Sequence, residues 1–229
     1  MLLFDIGYNV GRFTQGVLNR YPECRVIGVE ANNNLIPKTT PPNITIINAL
    51  MSNTDDVPHP FYVEHVQNGI STASREFMQD SRFGKGNRIV DPTTVHWNQV
   101  DEIKTLTLDT LVKKYGSPDL IKIDVEGWEY RVLLGLTSKQ SQICFEWCEE
   151  SFYHTERCVQ HLIRLGYREF CLSGYFEEGD VFSTLEYDKN GDTYGMIPTK
   201  FFRWANLKSD ITKMLQPDRR MNMGMVFVR

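Results

Sequence analysis

The residues best placed to do chemistry begin with Asp5-Ile6-Gly7-Tyr8-Asn9-Val10-Gly11. Glycines in such a segment let the chain turn tightly and let a ligand approach the backbone. A helix starting after Gly11 would present unpaired N–H groups at its first turn. Glu30 closes the next apolar run, near the spacing at which an acidic residue takes ribose hydroxyls. A dinucleotide site favours Gly-x-Gly-x-x-Gly, with a pyrophosphate resting on the helix start. Here Asn9 holds the middle position, the third glycine is missing, and Asp5 adds negative charge. That pattern suits a ligand with a cationic sulfonium and an ammonium, such as S-adenosylmethionine, better than a pyrophosphate. The bland alternative is a pair of turn glycines and a chance acidic strand end.

A second group is Asp119-Leu120-Ile121-Lys122-Ile123-Asp124-Val125-Glu126-Gly127-Trp128-Glu129. Alternation along a strand puts Lys122 and Asp124 on one face. A charged pair inside an apolar central strand is costly unless it is paired or functional. Lys122 reads as chiefly structural, whereas Asp124 falls at the strand's C-terminal edge, where open α/β sheets bind ligands. A third group runs from Glu146 to Glu150, with His154 nearby. Asp124, Glu126, Glu129, Glu146, Glu149 and Glu150 could crowd one cleft, where carboxylates bind Mg²⁺ or Mn²⁺, orient a hydroxyl or share a proton. Glu149 and Glu150 equally fit the solvated first turn of a helix. Asp188, Asn190 and Asp192 have calcium-loop spacing but lack its Gly and terminal Glu, so a turn at Asn190-Gly191 is expected. Trp97, Trp128, Trp147, Tyr153 and Trp204 could stack on a sugar face, although aromatic clusters are more often core.

These groups need elements to hold them. Met1 to Phe4, Arg25 to Glu30 and Ile44 to Asn48 read as strands joined by helix-length crossovers, which predicts a parallel α/β sheet. A helix after Gly11 carries Phe13, Val17, Leu18 and Tyr21 and stops at Pro22. Thr107 caps another, with Leu108, Leu111, Val112 and Tyr115 on one face and Gly116 at its end. Leu120 to Asp124 and Ile143 to Trp147 read as buried strands. A helix bearing Val159, Leu162 and Ile163 ends at Gly166; Phe170 to Ser173 and Met223 to Val228 are late strands. Residues 50–104 contain one strand candidate, Phe61 to Val66, and read as an insertion on the sheet. The stretch 174–222 reads as a lid or connector, and the whole as one domain, 1–229.

Composition narrows the function class. The 229 residues are 41% hydrophobic and 24% charged, ordinary for a globular chain and against disorder. A formal charge of −4 offers no basic excess for nucleic acid. No apolar run approaches the roughly 18–20 residues of a membrane span. Five scattered cysteines, without a Cys-x-x-Cys pair, signal neither a disulfide framework nor a zinc site and fit a reducing cytoplasm. Neither a membrane partner nor an oligomeric state is indicated.

Taken together, the 5–11 turn, Thr107-Leu108-Asp109 and Lys122-Ile123-Asp124-Val125-Glu126-Gly127 followed by Glu129 resemble the FkbM family of S-adenosylmethionine-dependent methyltransferases over roughly residues 1–148. The resemblance implies a Rossmann-like class I methyltransferase fold: a seven-stranded, mostly parallel sheet whose last strand, Met223 to Val228, runs antiparallel. It also implies O-methylation of a sugar, glycan or glycosylated small molecule. Many members place His where this chain has Trp128, so a mechanism using that His does not transfer. The chain begins at its first strand, so upstream sequence is expected to precede it. The expected cofactor residues are Asp5, Gly7, Tyr8, Asn9 and Gly11 around the methionine part, Glu30 with Ala31 at the ribose, and Asn48 and Ala49 at the adenine. An alcohol is a poor nucleophile, and Asp124, Glu146 and His154, in that order, are the candidates to help remove its proton. A divalent metal, Mg²⁺ or Mn²⁺, is a further option there. The competing classes are a nicotinamide-dependent oxidoreductase, disfavoured by the broken glycine fingerprint, and a non-catalytic cofactor-binding module.

Overall fold

Short runs of aliphatic residues bounded by turn residues become strands buried on both faces, as parallel sheets require. A computed structural model describes residues 1–65, 68–84, 95–176, 181–183, 202–205 and 221–229. In chain order the first elements are β1 (Leu2–Ile6), α1 (Arg12–Arg20), β2 (Arg25–Glu30), β3 (Ile44–Asn48), β4 (Leu50–Met51), β5 (Pro58–Glu64), α2 (Arg75–Asp80), β6 (Trp97–Leu106) and α3 (Leu108–Tyr115). They are followed by β7 (Leu120–Ile123), α4 (Glu129–Leu133), β8 (Ile143–Cys148), α5 (Phe152–Arg164), β9 (Phe170–Phe176), β10 (Val181–Ser183) and β11 (Met221–Val228).

The main sheet has the order β10-β9-β11-β8-β7-β1-β2-β3. β1, β2, β3, β7 and β8 pair in parallel, and β11 runs antiparallel to both β8 and β9. This is the class I methyltransferase arrangement, with its antiparallel last strand. The short β10 adds an eighth strand at the edge, paired antiparallel with β9.

Alternation along the strands builds two apolar layers. On one face Phe4, Ile6, Ile27, Ile121, Phe145 and Trp147 meet α3, α4 and α5 through Leu111, Val132, Val159 and Leu162. On the other, Leu3, Val26, Leu120 and Cys144 meet Phe13 and Val17 of α1. Each such fully buried side chain contributes roughly 1.5–3 kcal/mol. The α1 face carries one polar row: Asp5 lies opposite Lys122 on β7, and Lys122 opposite Cys144 on β8. Tyr21 ends α1 exposed rather than on its buried face, because the helix stops at Arg20. Thr107 caps α3 as its sequence predicts, its hydroxyl accepting from Thr110 N at 3.1 Å.

The 50–104 stretch departs from its reading. Instead of one strand it supplies most of a second sheet, β4-β6-β5, with β5 and β6 antiparallel. β6 escapes sequence detection because Trp97-Asn98-Gln99-Val100-Asp101-Glu102-Ile103-Lys104 has no apolar run; pairing with β5 sets its conformation. Tyr62 then bridges Thr72, which carries the 69–84 segment towards the ends of β1 and β7. Most of the 174–222 stretch, including Asp188, Asn190 and Asp192, lies outside the described residues. Within it Trp204 stacks on Phe152, ring centroids 6.5 Å apart, so it serves packing. Among the described residues no helix is long and apolar enough to cross a membrane.

Candidate active site

The loops following β1, β2, β3 and β7 converge on a cavity of about 630 Å³, within the roughly 300–1,000 Å³ usual for small-molecule sites. The 5–11 turn runs along its middle, since β1 lies between β2 and β7. The amides of Gly7 and Tyr8 both donate to Val29 O at 3.0 Å. Gly7 has φ +74°, and a Cβ there would lie 1.8 Å from Asp124 O, so only glycine lets the β1 and β7 ends approach this closely. Asn9 is also left-handed, at φ 49°. Gly11 starts α1 without a side-chain cap; a side chain on it would strike the Tyr8 hydroxyl. Gly7, Tyr8 and Asn9 line the cavity, whereas Gly11 shapes the turn from behind.

Glu30 lines the end of the cavity at β2 and is 6% exposed. Its Oε2 accepts from Asn9 N and its Oε1 from Asn32 N, both at 2.7 Å. Burial raises its pKa although both amides favour the charged form. Each oxygen retains acceptor capacity for ligand hydroxyls. Ala31 and Ala49 line the wall beside it. Asn48 does not; its Nδ2 donates to Glu30 O at 2.9 Å and Ala31 O at 3.1 Å, bracing that wall.

Asp5 requires correction. It is fully buried beneath the turn and does not line the cavity. Its Oδ2 accepts from the Thr14 hydroxyl at 2.6 Å, and its Oδ1 lies 3.3 Å from Lys122 Nζ. Burial nevertheless raises its pKa, with Lys122 pulling the other way. Any influence on a ligand therefore passes through Lys122 or the turn.

At the other end of the cavity stand Asp124, Glu126 and Glu146. One carboxylate oxygen from each lies within 4.8 Å of the others, a spacing that could hold a divalent cation. The loop bearing Asp124 and Glu126 is heavily constrained. Glu126 has φ 55°, unusual for a side-chain-bearing residue. Glu129 Oε1 accepts from Val125 N at 3.0 Å and Gly127 N at 3.3 Å. Thr72 donates its hydroxyl to Glu126 O at 2.6 Å. Phe77 packs on Gly127, where no side chain would fit. Burial first, then repulsion from neighbouring carboxylates, pushes Glu126 and Glu146 well above the usual carboxylate range. Glu129 is pushed up to about 7 by burial, against the amides it accepts from.

Two sequence candidates fall away from this cluster. His154 lies on α5 with Nε2 3.3 Å from Glu76 Oε2, and the same Glu76 accepts from the Tyr153 hydroxyl. The register of α5 thus turns His154 towards α2 and not into the cavity. Glu150 is no solvated first-turn acid: Arg82 Nε donates to its Oε1 at 2.8 Å and Arg82 Nη2 to its Oε2 at 2.7 Å. Trp147 is buried core, 2% exposed. Sequence reasoning missed Gly69, Ser71 and Ala73 from the 69–84 segment and Gly224 and Met225 from β11, all of which line the cavity. None carries a chemical signature in the sequence; only the tertiary fold brings them there.

Against known proteins, the FkbM methyltransferase domain matches residues 5–175. No curated protein sequence matches the chain. Among solved structures it is similar to precorrin-6y C5,15-methyltransferase from Geobacter metallireducens GS-15, at 9% identity and TM-score 0.43, covering 100% of this chain and 78% of that one. The family match spans the glycine turn, Glu30 and the carboxylate loop alike, and the chain belongs to the FkbM methyltransferase domain family.

Proposed function

We propose that this methyltransferase moves the methyl group of S-adenosylmethionine to a hydroxyl of a sugar, glycan or glycosylated small molecule. The observation that carries the reading is one cavity with two unlike acidic ends: Glu30 held by two amides, and Asp124, Glu126 and Glu146 facing one another. The first end fits the cofactor. Glu30 would accept from ribose hydroxyls, Ala31 and Ala49 would flank the adenine, and the Gly7–Asn9 turn would hold the methionine part. Bound there, S-adenosylmethionine supplies an electrophilic methyl group on a sulfonium.

The second end fits an acceptor hydroxyl. Glu146, whose pKa burial and its carboxylate neighbours raise, is matched to taking the proton from the acceptor hydroxyl as its oxygen attacks the methyl carbon. Asp124 or Glu146 would accept the hydroxyl's hydrogen bond, and the Glu126–Glu146 pair would store the proton. The loop that Glu129, Thr72 and Phe77 fix holds the acids in place, so alignment supplies part of the rate. The grouping of Asp124, Glu126 and Glu146 suits a polyhydroxylated acceptor, whose neighbouring hydroxyls can donate to several carboxylates at once.

The test is calorimetric titration with S-adenosylhomocysteine and with NAD, followed by a sugar and glycoside acceptor screen with and without Mg²⁺ or Mn²⁺. Binding of the first alone, and methyl ether formation without added metal, is the expected result. Binding of NAD in its place would overturn the reading. Turnover abolished by a chelator and restored by Mg²⁺ would replace the shared proton with a cation.

A further inference from the structure

Lys122 sits where the two ends of the cavity meet. It is 5% exposed, at the middle of the polar row on the α1 face. A buried ammonium needs partners for its three donors. Its shortest contact is not to a carboxylate: Nζ donates to Gly7 O at 2.7 Å, with Ile6 O at 3.4 Å. Asp5 Oδ1, on β1, lies 3.3 Å away, and Asp124 Oδ2, just past the end of β7, lies 3.4 Å away. Burial alone would favour the neutral amine, but Asp124 and Asp5 together keep it charged.

Gly7 has no slack. Its amide is bonded to Val29 O, and Asp124 O occupies the place where a Cβ would stand. A shift of the ammonium towards or away from Asp124 therefore acts on the Gly7 carbonyl. We infer that Lys122 is a positioning residue that couples the cofactor turn to the acceptor-side carboxylate, because one ammonium holds the Gly7 carbonyl and Asp124 together. Cofactor affinity then depends on the charge of Asp124, and an acceptor that engages Asp124 alters the grip on the cofactor. This rests on the methyl-transfer reading above. It goes beyond a strand clamp, which would affect folding without linking the two ends.

The experiment is a cycle of S-adenosylhomocysteine titrations with unfolding midpoints measured alongside. Lys122→Met alone would strand Asp5, so it is made with Asp5→Asn, exchanging a buried ion pair for a neutral one. Relative to Asp5→Asn, the double variant is expected to unfold at a similar midpoint and to bind at least about tenfold more weakly. Asp124→Asn is expected to change affinity several-fold beside Lys122 and by less than about twofold with Lys122→Met present. Should the double variant not fold, Lys122→Gln replaces it; this keeps a donor for Gly7 O, and the Asp124 dependence is still expected to vanish. Unchanged affinity in the double variant, or an additive cycle, overturns the coupling. No binding by the unmodified chain overturns the methyl-transfer reading, and the coupling with it.

Discussion

The two ends of the cavity use the same side chain for opposite purposes. Glu30 has an amide on each oxygen, so it is oriented and serves as a fixed acceptor. Glu126 and Glu146 face other carboxylates, and burial first, then that like charge, raises their pKa well above the usual carboxylate range. Glu129 lies between these cases: buried near the same cluster, it spends Oε1 on two loop amides. The difference teaches that the role of a buried carboxylate is set by what faces it. Backbone donors make it a rigid recognition group, and other acids add to burial in raising its affinity for a proton.

The comparison breaks most severely at Gly7, which belongs to both ends. Gly7→Ala would force a Cβ onto Asp124 O in a left-handed backbone, and it is expected to cost more than about 3 kcal/mol. A urea unfolding midpoint checks this; a near-normal midpoint would mean that the β1 and β7 ends can separate.

Glu30→Ala and Glu146→Gln divide the ends. The first should weaken S-adenosylhomocysteine binding by at least about tenfold. The second should leave binding within about threefold and lower turnover by roughly 10²–10⁴. Calorimetry and the acceptor assay read them separately, and equal loss of binding in both would erase the distinction between the ends.

The acid end also leaves a mark on stability. Glu129 is held at about 7 in the folded protein, above its unfolded value near 4.3. The folded state therefore binds more protons between these values, and stability declines as pH rises from about 4.5 to 7. Glu126 and Glu146, also raised, act in the same direction. Unfolding free energies across this window should fall by roughly 1–3 kcal/mol from Glu129 alone, and Glu129→Gln should flatten that slope. A rise in stability over the same window would contradict the assignment.

Thr72→Val removes the donor to Glu126 O and the acceptor for Ser74 N. A loss of about 1 kcal/mol is expected, with reduced turnover and unaltered cofactor binding. His154→Ala is the smallest. Its partner Glu76 is half-exposed, so stability should move by less than about 0.5 kcal/mol and turnover should not change. A large loss of turnover would return His154 to the mechanism.

Much of the scaffold was legible because its signals are local. β2 and β3 fall on the expected residues, and β8 differs by one, because each is a short apolar run ending at a polar residue. Thr107 and Gly116 bound α3 as their side-chain chemistry predicts. β6 was illegible because its conformation comes from pairing with β5, and α2 because six residues carry too little periodicity. At the site, Glu30 and Asp124 line the cavity from the strand-end positions that drew attention to them, and Glu146 lines it from within β8. His154 misled because nearness in sequence to Glu146 does not specify which way a helix faces.

The sequence by itself determined the motifs, the strand ends that carry them and the family to which they belong, since these depend on residue identity and short-range spacing. Only the tertiary structure decided the roles. It sent Asp5 beneath the turn, made Glu129 a loop anchor and Glu150 an Arg82 partner, and put Lys122 between Gly7 and Asp124. The reason is electrostatic: a charged side chain acts according to its neighbours within a few ångströms and its exposure to water. Those neighbours come from strands distant in the chain, and no local pattern states which ones they are.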